Sequence, residues 1–160
     1  MVGVPATGGD PRLVMMAAES RSVSPSAPRE RRMGSRVFLG VSALVWFPYG
    51  LLCLAKPSIL ENTAGVVAST VTGTVELRAM YGGLQVAIGA LCTLGCVSRA
   101  WRTCALTSLG VLTAGLGLGR IVGVTAGGGL SSYTAAALGF ELVSAVLAFT
   151  LARNEEGVLQ

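Results

Sequence analysis

Two charged residues stand inside stretches that are otherwise apolar. Arg120 lies within TAGLGLGRIVGV and Glu141 within AALGFELVSAVL. Such a pair has three chemistries open to it: an ion pair, an anion site on the guanidinium, or general acid–base work at the carboxylate. An ionisable side chain at mid-span in a membrane helix costs about 2.5–3.5 kcal/mol, so it ordinarily faces protein or water and has a partner. Two unrelated penalties of that size are hard to place in one short chain. Counted from Gly129, Arg120 lies nine residues back and Glu141 twelve forward. Across a helical hairpin that offset is about 4.5 Å, which an arginine side chain spans. The spacing therefore predicts an Arg120–Glu141 pair.

Other polar residues fall at the same level. The stretch VELRAMYGGLQ opens the second apolar run and supplies Glu76, Arg78, Tyr81 and Gln85, and Tyr49 stands near the end of the first run. Arg78, Gly82, Gln85 and Gly89 follow helical spacing and are expected on one face. Glu76 and Arg78 are expected at the membrane boundary, where an acid near a helix N-terminus is favoured by the dipole. The expected ligand-binding set is Glu76, Arg78, Tyr81, Gln85, Arg120, Glu141 and Tyr49, a polar cluster in the outer leaflet fed by four helices. The alternative is that the pair and its neighbours only fix helix packing, the best-attested use of buried ion pairs.

No catalytic set is read. Histidine is absent, which removes Ser-His-Asp and Cys-His catalysis and imidazole relays. An enzymatic reading would rest on Glu141 as acid or base and Arg120 as anion stabiliser, with no second isolated carboxylate in the span. The residues favour a protein that is not an enzyme. No metal constellation and no cofactor motif is present. Cys53, Cys92, Cys96 and Cys104 form no CxxC and read as small packing residues.

The elements that must position these groups follow from composition. The chain has 160 residues, is 52% hydrophobic and only 12% charged, with a mean hydropathy of +0.67. That charge share is about half of what a soluble domain carries. Four apolar segments, about 37–55, 79–98, 104–126 and 132–152, each approach the roughly 20 residues needed to cross a hydrocarbon core. The fold class expected is an all-α membrane protein, a four-transmembrane-helix up-down bundle. Arginines in the N-terminal segment, Arg99, Arg102 and Arg153 place both termini in the cytoplasm by the positive-inside rule. The formal charge of +4 does not point to nucleic acid, because the basic residues flank apolar runs instead of lining a polar face.

Residues 1–35 read as a disordered tail rich in Arg, Ser and Pro, or as a targeting segment; 36–152 form the transmembrane domain and 153–160 a C-terminal tail. No signal peptide is read at the terminus, and Met33 is an alternative start. The membrane is the plasma membrane, or an organelle membrane if the tail is a transit peptide. Pro48 should kink the first span. The 1–2 connection is expected to hold a short interfacial helix after Pro57 that stops near Gly65. Gly82, Gly83, Gly89, Gly115, Gly119 and Gly123 are expected to let helices approach closely, within the bundle or, on the third span, in a homo-oligomer. The partners implied are the lipid bilayer and an unidentified small-molecule or lipid ligand.

The string ELRAMYGGLQVAIG, with GLGLGR in the third span and the glutamate of GFELV in the fourth, resembles a family of small four-span membrane proteins, domain of unknown function family 4345, and is distantly similar to DoxX-like proteins. The resemblance covers about 36–152. It implies four spans and importance for Glu76, Arg78, Tyr81, Gly82, Gly83, Arg120 and Glu141. It implies no activity, substrate or cofactor.

Overall fold

The computed structural model describes residues 27–156 of the chain, with side-chain surroundings from residue 33 onward. The described residues are helical almost throughout. Helix α1 is Ala27–Ala55, α2 is the short Ile59–Ala64, α3 is Val71–Val97, α4 is Arg99–Gly128 and α5 is Ser132–Glu156. Within α1 the stretch Met33–Ala55, and α3, α4 and α5 whole, are long and apolar enough to cross a membrane. The described part of α1 opens at Ala27, inside the segment read as a tail. The rest of that tail, and the last four residues, lie outside the described residues.

Local chemistry sets the helix ends. Thr70 is extended and its Oγ1 accepts from the Gly73 N–H at 3.0 Å, so α3 starts eight residues before the apolar run does. Helix α2 follows Pro57 and stops at Gly65, which is left-handed, as the sequence predicts. Between α3 and α4 the expected basic loop is a single extended residue, Ser98. Arg99 and Arg102 already belong to α4, and Arg102 is buried with its Nε donating to the Gly95 carbonyl at 3.3 Å. At the α4–α5 corner, Gly127 in the last turn of α4, at φ 103°, and Gly129 just after it, at φ 69°, take conformations that side-chain-bearing residues avoid. The helix α1 runs on through Pro48 to Ala55.

Two close pairs of helices carry the packing. Along α1 and α3, Leu54 meets Gly82, Gly50 meets Val86, Phe47 meets Gly89 and Gly40 meets Cys96, so these helices are antiparallel. Along α4 and α5, Gly110 meets Phe149 and Gly117 meets Leu142, again antiparallel. Helix α3 also packs on α4, and α1 touches α5 more lightly. A continuous apolar core of Leu39, Cys92, Ala105, Leu106, Leu109 and Ala152 fills the end next to Ser98 and reaches Trp46 and Ile88 midway.

The glycines divide differently from the sequence expectation. Gly82 and Gly89 do bring α1 and α3 together: a Cβ on Gly89 would stand 2.6 Å from the Phe47 backbone nitrogen. Gly115, Gly119 and Gly123 meet nothing within 4 Å, and Gly83 meets only its own helix. The reason is helical phase. On α4 the inward face carries Leu106, Leu109, Gly110, Thr113 and Gly117, all buried, and the four-residue glycine series lies off that face. Gly110 and Gly117 make the close approach instead.

Candidate functional site

At the end of the bundle next to Gly129 the packing changes character. Helix α4 brings Arg120 opposite Glu141 of α5. The Arg120 Nε donates to both carboxylate oxygens, at 2.8 Å to Oε1 and 3.0 Å to Oε2. Among the described residues this is the one ion pair. The two partners are unequally placed: the glutamate side chain is 4% exposed and the arginine 29%. Both contacts go through Nε, so the terminal nitrogens Nη1 and Nη2 take no part in them, and Tyr133 is in electrostatic reach of the guanidinium. The ring of Tyr133 stands over the guanidinium carbon, 5.8 Å from it.

The arginine also lines a cavity of about 230 Å³. Its other walls are Thr63 and Ala64 from α2, Val66 just after it, Tyr81 from α3, and Ser131, Tyr133 and Thr134 at the start of α5. Glu141 does not line it. The cavity therefore offers hydroxyls and the guanidinium, with the carboxylate behind. Ser131 Oγ and Thr134 Oγ1 lie 2.9 Å apart, and the Thr134 N–H donates to Ser131 Oγ at 3.1 Å, so this lip is fixed by its own hydrogen bonds. Tyr49 of α1 is in electrostatic reach of Cys53, Tyr81 and Tyr133, which brings a third phenol to the same region.

Of the seven residues the sequence singles out, Arg120 and Glu141 pair, Arg120 and Tyr81 line the cavity, and Tyr49 lies close by. Gln85 is buried on the α1 side of α3 beside Gly50, outside the cavity lining, and its Oε1 has no hydrogen-bond partner. Glu76 and Arg78 are exposed and do not line the cavity. The common face of Arg78, Gly82, Gln85 and Gly89 fails for a specific reason: Arg78–Gly83 forms a π-helical turn, in which the Leu84 N–H reaches back five residues to the Ala79 carbonyl. The wider turn adds a residue and rotates Arg78 away from the face that Gly82, Gln85 and Gly89 keep.

Sequence reasoning missed Thr63, Ser131, Tyr133 and Thr134. The hydroxyl-rich SSYT after the glycine turn was a signal for the last three. Thr63 carried none, because its place depends on how α2 folds back over the bundle.

A family model described as a domain of unknown function, DUF4345, matches residues 34–152. The chain belongs to that family. The match takes in α3 and α4 whole, most of α1, all but the last four residues of α5 and every residue of the cavity, so the site lies within the family's domain. No curated protein and no solved structure matches the chain.

Proposed function

We propose that the protein is a multi-pass membrane protein whose polar layer at the Gly129 end binds, or helps to move, a small amphipathic or anionic molecule. In this reading the bundle is up-down, both termini are cytoplasmic, and the cavity opens at the outer leaflet. The observation that carries the proposal is the division of labour in Arg120. Its Nε holds a buried carboxylate, while the rest of the guanidinium lines a cavity rich in hydroxyls. A pair that served packing alone has no need of a hollow on its open side. Arg36, Arg99, Arg102 and Arg153 near the Ser98 end support the orientation, and the apolar surface of the four long helices supports the membrane setting. The membrane is the plasma membrane, or an organelle membrane if the N-terminal segment is a transit peptide.

Native mass spectrometry of gently purified full-length protein tests this directly. Wild type is expected to retain a small molecule that Tyr133→Phe with Thr134→Ala releases, at unchanged thermal midpoint. Loss of midpoint without any ligand difference would remove the proposal.

A second reading keeps a specific observation in its favour. Glu141 is almost wholly enclosed and bridges α4 to α5 beside Gly117, the point of close approach. In a purely structural subunit that pair fixes helix packing and nothing binds. Self-association belongs to this proposal too, through the outward glycines of α4. Chemical crosslinking in membranes should then fall on Gly119→Leu.

A further inference from the structure

Resting on the binding proposal above, we infer that the cavity takes the uncharged ester or carbonyl end of a membrane lipid, and that Glu141 is the residue that excludes acids.

The inference starts from charge. Arg120 is the one charged side chain in the cavity wall, and its charge is already matched by Glu141 at 2.8 and 3.0 Å. Tyr81 and Tyr133 add uncharged phenols, and Thr63, Ser131 and Thr134 add hydroxyls. Lys56 and Arg78 are exposed elsewhere and line nothing here. An anion entering this space would share one guanidinium with an enclosed carboxylate, and two like charges on one cation repel. An uncharged oxygen meets no such repulsion. It can still accept from the arginine terminal nitrogens, and a hydrogen bond with one ionised partner is stronger than a neutral one.

Size and position give the second half. A volume of about 230 Å³ is below the range of pockets that enclose a whole drug-sized ligand. It suits a polar end group, which leaves the remainder of the molecule outside. Thr63, Ala64, Val66 and Ser131 of the walls lie outside the long helices, while Tyr81 and Arg120 stand ten residues in from Val71 and eight in from Gly128. Lipid esters lie at that level of a bilayer, between the hydrocarbon and the headgroups. Ile121 and Leu130, the chain neighbours of the lining residues Arg120 and Ser131, are exposed and give the remaining chain an apolar surface to follow.

The test uses matched probes on purified full-length protein in an uncharged detergent at neutral pH. Methyl oleate and oleate share a chain and differ by one charge; methyl butyrate carries the same ester without the chain. Wild type is expected to bind methyl oleate at least about tenfold more tightly than oleate. Glu141→Gln, which keeps the shape and removes the charge, should reverse that order. If Glu141→Gln does not fold, Arg120→Gln with Glu141→Gln takes its place and should lose the preference altogether. Wild type preferring oleate, or either variant keeping the wild-type order, overturns the inference while the binding proposal stands. Equal binding of methyl butyrate overturns the lipid source and leaves a free small ester. Binding of no probe, together with no retained native ligand, removes the binding proposal itself.

Discussion

The two ends of this bundle are built from the same four long helices and are held together in different ways. Next to Ser98, Leu39, Cys92, Leu106 and Leu109 are enclosed in one apolar cluster. Next to Gly129, the enclosed groups include the polar Glu141 and Gln85 beside the apolar Cys53 and Leu60, a guanidinium spans two helices, and a hollow remains beside it. In lipid, apolar side chains gain little from meeting each other beyond packing itself. The Ser98 end therefore depends mainly on apolar fit, with buried Arg102 tied to the Gly95 carbonyl, and the Gly129 end depends on an ion pair as well. The first end is close-packed around apolar side chains; the second holds a hollow beside a charged group.

The contrast can be broken most severely at the ion pair. Arg120→Leu strands an enclosed carboxylate and is expected to lower stability by about 3–5 kcal/mol, read as a fall in the thermal unfolding midpoint in detergent. Arg120→Leu with Glu141→Leu should recover most of that loss, and failure to recover would mean that the Gly129 end depends on more than charge balance. At the other end, Leu106→Ala opens a void in a close-packed layer. Its expected loss is about 2 kcal/mol, the low end for such changes, since water exclusion contributes little within lipid.

A smaller effect separates the two classes of glycine. Gly89→Ala forces a methyl group against the Phe47 backbone and should destabilise by about 1–3 kcal/mol. Gly119→Ala meets open space and should be neutral or stabilising by up to about 1 kcal/mol, through helix propensity. Opposite signs in one thermal assay would sharpen the distinction between inward and outward faces; equal signs would erase it. Smallest of all, Gln85→Met removes a buried oxygen with no partner, and unfolding midpoints should hold or rise slightly.

Much of this was legible in the residues. Four apolar runs gave four long helices, Pro57 and Gly65 bracketed α2, and the distances of Arg120 and Glu141 from Gly129 gave their pairing. Helix ends were less legible because hydropathy marks where lipid-compatible sequence stops, not where the backbone stops being helical. VTGTVELR is too polar for the apolar run yet helical from a threonine cap, and Arg99 and Arg102 are basic yet helical. The cavity was legible only in part. Arg120 and Tyr81 were found because charge and aromatic groups near lipid demand explanation, whereas Thr63 and Ser131 are ordinary residues made relevant by what folds beside them. Arg78 was misplaced because even helical spacing was assumed through a stretch that is wound more widely.

That wider turn has a consequence for chain length. A π turn stores one additional residue inside a helix without a bulging loop, so Arg78–Gly83 is a place where a single insertion or deletion is absorbed by winding. A relative one residue shorter here would keep Gly82, Gln85 and Gly89 against α1 and swing everything before them, Glu76 and Arg78 included, by about a quarter turn. Such a change would redecorate the rim beside the cavity and leave its arginine untouched.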